Sequence, residues 1–177
     1  MPEHELDEDV SVSPYDPKWP GTASRFATAV AKLLHDLGAQ IEHVGSTAVP
    51  GLAAKPIIDL LGGLPANVSV DEAASRLVGD GWQDLGEAGI VGRRYLRYRG
   101  ATAANLHLVS AGGEHWTNNL LLRNYLRSHP TEAAEYAAAK GHALQAGHTR
   151  LLAYSAAKAD VVGALLVKAK AWSQDRR

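Results

Sequence analysis

The stretch that decides the fold is Gln40–Leu64, QIEHVGSTAVPGLAAKPIIDLLGGL. Gln40–Val44 reads as a short strand ending in apolar residues. Gly45-Ser46-Thr47 breaks it with a flexible residue and two hydroxyls, and Pro50-Gly51 marks a turn. Lys55 precedes Pro56, which opens an apolar run, Ile57-Ile58-Asp59-Leu60-Leu61, a second strand. Gly62-Gly63 and Pro65 then read as loop. Asp59 is a single carboxylate inside that run, and a charge costs several kcal/mol if buried without a partner. Asp59 therefore either lies solvated or paired with Lys55 at a strand end, or it holds a metal or a substrate.

Working outward, Gly21–Leu37 reads as a helix. Phe26, Val30, Leu33, Leu34 and Leu37 recur at helical spacing, and Gly38 is a good stop. The proline-punctuated loop Ser13–Pro20 precedes it, with Tyr15 and Trp19 as anchors, and Val10–Val12 reads as a short strand. Ser69 with Glu72 forms a capping-box signal for a helix over Val70–Val78. Trp82–Leu85 is a short strand. In Arg93–Arg99 the side chains of Arg93, Tyr95, Arg97 and Arg99 share one face. Gly100–Thr102 turns this strand into Asn105–Val109, where Asn105, His107 and Val109 share one face and Leu106 and Leu108 the other.

Three helices follow: His115–Ser128 stopped at His129-Pro130, Thr131–Gln145 with Thr131 as N-cap, and one long helix over Leu152–Trp172. Strands first and helices last predict an α+β or mixed α/β architecture with a C-terminal helical cover. At 177 residues the chain fits a single domain spanning 1–177, with residues 1–9 a loose acidic tail.

Composition excludes some functions. There is no cysteine, hence no disulfide and no thiolate metal site. The formal net charge of -1 gives no strong nucleic-acid signal. No apolar run approaches a membrane span, and the acidic N-terminus is unlike a secretory signal. A cytoplasmic protein is the expectation.

The Gly45-Ser46-Thr47 turn can present successive N–H groups and hydroxyls to an anion such as phosphate, although it is no Walker A loop. Arg123 and Arg127 share one helix face. Lys140 and Lys158 each follow a tyrosine by four residues (Tyr136, Tyr154). Gathered around one cleft, such cations bind phosphates; apart, they are solvated helix residues. His43 and His107 are either metal ligands with Asp59 or hydrogen-bonded structural histidines.

His43–Leu61, HVGSTAVPGLAAKPIIDLL, closely resembles the signature of the GrpB family. SPYDPKWP resembles that family's N-terminal loop. NLHLV followed by WTNNLLLRNYLRSHP resembles its His-bearing strand and Arg-rich helix, and EYAAAKGHAL and YSAAKADVV resemble its two Tyr-to-Lys helical motifs. The resemblance spans nearly the whole chain and implies the nucleotidyltransferase fold, in which a Gly-Ser turn holds a triphosphate and aspartates on the next strand hold Mg²⁺. Asn124 stands where the family signature usually has Asp.

The resemblance implies a nucleotidyltransferase-like enzyme. It would bind a nucleotide or other phosphorylated small molecule at Gly45, Ser46 and Thr47, aided by Arg127, Lys140, Lys158 and Tyr154. Asp59, Lys55 and Arg123 would be catalytic. The carboxylate set is incomplete: Leu61 stands where a second acid is expected and His107 where a third is. A divalent metal, Mg²⁺ or a transition metal held by Asp59, His107 and His43, is the cofactor expectation. The alternatives are a different reaction on the same fold, a noncatalytic nucleotide- or metabolite-binding module, or a domain that assists a protein partner, since some relatives are fused to dephospho-CoA kinase.

Overall fold

The computed structural model describes residues 6–175. A five-stranded sheet carries the site. Its strands are β1 (Gln40–Val44), β2 (Ile57–Leu64), β3 (Gln83–Asp84), β4 (Arg94–Arg99) and β5 (Ala103–Ser110). The spatial order is β1-β2-β5-β4-β3. β2 and β5 run parallel and the other neighbours antiparallel, so the sheet is mixed, as expected. Six α-helices are among the described residues: α1 (Trp19–Leu33), α2 (Val70–Val78), α3 (Glu114–Ser128), α4 (Pro130–Gln145), α5 (Leu151–Ala157) and α6 (Ala159–Gln174).

The alternation of β2 and β5 divides the molecule. Ile58, Leu60 and Leu64 of β2, with Leu106 and Leu108 of β5, face α1 and α2 and form the main core with Val30, Leu34, Leu77 and Trp82. Each fully buried Leu contributes ~1.5–3 kcal/mol. The opposite face carries Asp59, Leu61, Asn105, His107 and Val109. There Leu61 and Val109 pack with Val44 and Trp116 of α3.

Gly62 and Gly63 belong to β2 rather than to a loop. A Cβ on Gly62 would lie 2.7 Å from Leu108, and one on Gly63 2.6 Å from the Trp116 ring. These glycines admit large neighbours on each face instead of ending the strand.

Other boundaries differ for local reasons. α1 begins at Trp19, with Pro20 in its first turn, and gives way to a 3₁₀ turn at His35–Leu37 before Gly38 turns left-handed (φ 67°). α4 begins at Pro130, whose missing N–H costs nothing in a first turn, so Thr131 is not its N-cap. The expected single helix over Leu152–Trp172 is two helices. The chain bends at Lys158 (φ -104°, ψ 0°), which places that lysine against the sheet. Val10–Val12 forms no strand; only isolated bridges tie Asp9 to Arg150 and Ser13 to Ala54. Of the tail expected to be loose, residues 1–5 lie outside the described residues. Asp7, Glu8 and Asp9 are tied down by Arg150 and Arg99. No helix among the described residues is long and apolar enough to cross a membrane.

Candidate functional site

Val44 pairs with Asp59 across β1 and β2, so the turn after Val44 passes directly beside that carboxylate. Gly45 has φ 72° and ψ -171°, a region open essentially to glycine alone. A Cβ there would meet Asp59 Oδ2 at 2.7 Å. The turn and the aspartate are thus fitted to one another.

On its other side Asp59 faces Asn105, its partner in the parallel β2–β5 register. Asn105 Nδ2 donates to Asp59 Oδ1 at 2.7 Å. Asn105 Oδ1 accepts from Arg99 at 3.0 Å, which fixes the orientation of the amide. Arg99 in turn forks onto Glu8 at 2.9 and 3.1 Å. A continuous relay therefore runs Glu8–Arg99–Asn105–Asp59. Asn105 is absent from the sequence-derived site because only the strand register sets it opposite Asp59.

Three lysines converge on the turn. A small cavity of about 40 Å³ is lined by Ser46, Thr47, Lys55, Asp59, Lys140, Tyr154 and Lys158. Lys140 is only 2% exposed. It donates to Ser46 Oγ at 3.0 Å and to the Ala53 carbonyl at 2.5 Å. Burial, helped by the charge of Lys158, lowers its pKa to about 7. Burial also depresses Lys55 and Lys158, against the pull of Asp59. The Lys140 and Lys158 ammonium groups sit 4.7 Å from the ring centres of Tyr136 and Tyr154. Tyr136 is pushed up to about 12 by burial, against a hydrogen bond with Ser46. Tyr154 is raised by burial too.

Above this pocket the cleft widens into two adjoining spaces. One, of about 410 Å³, is lined by Lys55, Asp59, Asn105 and Lys158 with Arg93, Tyr95 and Arg97 of the hairpin. The other, of about 630 Å³, reaches Arg123 and has an apolar wall of Leu122, Leu126 and Val162. Cations outnumber anions on these walls.

The remaining predicted residues are placed as follows. Arg123 reaches the rim of the larger space, but it is held by Glu42 at 2.6 Å and by the His43 carbonyl at 2.9 Å. Its neighbour Asn124 accepts from it at 3.0 Å. Arg127 lies outside the cleft and braces the turn from behind, donating to the Ala48 carbonyl at 2.7 Å. Thr47 is buried with His43 Nε2 at 2.9 Å from its hydroxyl. Burial holds His43 neutral, at a pKa of about 4. His107 does line the cleft. Arg93, which can only donate, lies 3.2 Å from His107 Nδ1, so that nitrogen accepts and the proton sits on Nε2. Burial first, and Arg93 second, take the His107 pKa down to about 3.

Asp59, His43 and His107 do not form one ligand set. Among the described residues no three His, Asp or Glu side chains are gathered as a metal site requires. Leu61 and His107, the two positions where further acids are expected, pair with each other across β2 and β5, while the residue beside Asp59 is Asn105, whose oxygen is committed to Arg99.

The model of the GrpB protein family matches residues 9–168. The chain belongs to the GrpB family. A UPF0157 protein of Pseudomonas aeruginosa is 36% identical over 171 residues, 93% of this chain and 69% of that one. The UPF0157 protein YqkA of Bacillus subtilis is 34% identical over 137 residues, 77% of this GrpB chain, which spans only 40% of that relative. The crystal structure of the conserved protein GrpB from Enterococcus faecalis superposes with a TM-score of 0.82 at 32% identity, covering 92% of this chain and 99% of that one. The Cid1 poly (U) polymerase with bound Mg and 3'-dATP shares the fold at a TM-score of 0.52 and 13% identity, over 70% of this GrpB chain and 41% of the polymerase. The nucleotidyltransferase-like fold expected from the sequence is therefore present. A dephospho-CoA kinase of Mycolicibacterium paratuberculosis is 33% identical over 79 residues, 43% of this chain and 19% of that protein.

Proposed function

We propose that this GrpB cleft binds a nucleotide or another phosphorylated small molecule by its phosphates and acts as a nucleotidyltransferase-like enzyme. One observation carries the reading. Lys55, Lys140 and Lys158 surround one carboxylate beneath the Gly45–Ser46 turn, in a pocket sized for a small oxyanion. Partly dehydrated lysines stabilise a phosphate more strongly than exposed ones, because water screens them less.

Asp59, oriented by Asn105, is the proton acceptor in this proposal. An attacking hydroxyl oxygen forms a bond to phosphorus and its proton passes to the Asp59 carboxylate. The bond to the leaving phosphate oxygen breaks, and the electron pair stays on that oxygen, where Lys55 and Lys158 neutralise it. Among the described residues no cluster of His, Asp and Glu makes up a metal centre on its own.

The test is single-turnover formation of pyrophosphate from nucleoside triphosphates in the presence of hydroxyl acceptors, compared with Asp59→Asn. Release that falls at least a hundredfold in the variant supports the reading. Binding without release in the wild type would instead make the domain a noncatalytic phosphate-ligand module, the second reading left open by the single carboxylate.

A further inference from the structure

Arg97 is a charged side chain only 4% exposed, on the same face of the sheet as Asp59. The register sets it there: Arg97 pairs with Asn105, and Asn105 pairs with Asp59. Two strand spacings separate Arg97 from Asp59, roughly 10 Å. Arg97 lies at the opposite end of the space of about 410 Å³ from Asp59, on walls that also carry Lys55 and Lys158, while Ser46 and Lys140 are not among its lining residues.

Two of the oxygen atoms around Arg97 come from the N-terminal segment. Arg97 donates to the Leu6 carbonyl at 2.5 Å. Its other terminal nitrogen lies 3.7 Å from the Glu8 carboxylate. Arg99, two residues on and on the same face, forks onto that carboxylate. Tyr95 completes the cradle, accepting from Arg97 Nε at 3.2 Å. The segment is pinned from the far side, where Arg150 binds Asp7 and Asp9. Leu6 itself lines the cleft.

Two arginines presented together to one carboxylate have the geometry that recognises a free carboxylate or phosphate. We infer that Arg97 and Arg99 form a second oxyanion subsite of the cleft, for an anionic group carried by the acceptor substrate, and that Glu8 occupies it as a tethered stand-in. A tethered carboxylate competes at an effective concentration of order millimolar, so it weakens a free anion by the fraction of time it holds the site. The assignment to an acceptor rests on the reading proposed above, whereas succinate binding at Arg97 and Arg99 needs no nucleotide at the Ser46 turn and is tested apart from it.

The experiment titrates succinate and inorganic phosphate into the full chain, following the Arg97 and Arg99 Nε–H resonances by NMR. It compares wild type, Glu8→Gln, Glu8→Ala and the double variant Glu8→Gln/Arg97→Gln. Glu8 belongs to none of the hydrophobic clusters, and unchanged dispersion of the core amides verifies that its replacements leave them intact. The expected result is binding about tenfold tighter in both Glu8 variants, with shifts at Arg97 and Arg99, and loss of that gain in the double variant. Ser46→Ala added to Glu8→Gln leaves the gain in place, which separates this subsite from the lysine pocket. Equal affinities in wild type and both folded Glu8 variants, or shifts confined to Lys55, Lys140 and Lys158, would overturn the inference.

Discussion

Asn105 Nδ2 lies 2.7 Å from Asp59 Oδ1, and the oxygen of the same amide is held by Arg99. The amide cannot turn without breaking both bonds, so it offers Asp59 a donor at all times. An acid at position 105 would face Asp59 as a like charge. Asn105→Asp is expected to lower unfolding free energy at neutral pH by ~1–3 kcal/mol, the cost of an unmade buried hydrogen bond. It also creates two adjacent carboxylates, so Mn²⁺ should restore part of the loss in the variant and have little effect on wild type. Denaturant unfolding with and without Mn²⁺ checks both.

Gly45→Ala should destabilise by at least ~1–3 kcal/mol from the backbone conformation alone. The added Cβ also meets Asp59 Oδ2 at 2.7 Å. Chemical denaturation measures the loss. A variant as stable as wild type would mean that the turn and Asp59 are not fitted as described.

His43 and His107 set a pH dependence on the acid side. Their folded pKa values of about 4 and about 3 lie below the ordinary histidine value of 6.5. Between those limits the unfolded chain binds more protons, so stability rises with pH there and is lost as pH falls from 6.5 toward 3. His43→Gln and His107→Gln should each flatten the profile of unfolding free energy against pH over that window. His43→Gln retains a side chain able to reach the Thr47 hydroxyl.

Lys140 acts at alkaline pH. Its folded pKa of about 7 lies below the ordinary 10.5. The unfolded chain therefore holds the extra proton between 7 and 10.5, and this group favours folding progressively more as pH rises through that range. The neutral amine keeps two N–H donors, enough for Ser46 Oγ and the Ala53 carbonyl. Lys140→Met should reduce the rise, leaving the part that the buried Lys55 and Lys158 supply, as read from wild-type and variant melting temperatures at pH 7 and pH 9.5.

Much of this architecture is legible in the residues. Ser69 and Glu72 announce α2, and Ser69 Oγ does accept from the Asp71 N–H. The alternation in β4 and β5 assigns Arg97, Asn105 and His107 to one face before any coordinate is known. Strand register is less legible: nothing local in NLHLV says that Asn105, rather than His107, stands opposite Asp59. Pairing is hidden as well. Arg123 and Arg127 look alike one helical turn apart, yet one reaches the cleft rim through Glu42 and the other braces the turn from behind. The bend at Lys158 is invisible because alanine-rich sequence on both sides favours helix, and tertiary packing of Tyr154 and Leu165 into separate clusters decides it.

The most direct test of the phosphate-binding cleft is the thermal stability of the full chain against the four nucleoside triphosphates, with and without Mg²⁺. A ligand at a hundred times its Kd adds ~2.7 kcal/mol, which for a chain of this size is about 5–10 °C in Tm. Wild type should show such a shift with at least one nucleotide, and Ser46→Ala and Lys158→Met should each lose it. No shift with any nucleotide, or a shift unchanged in both variants, would contradict phosphate binding by this cleft.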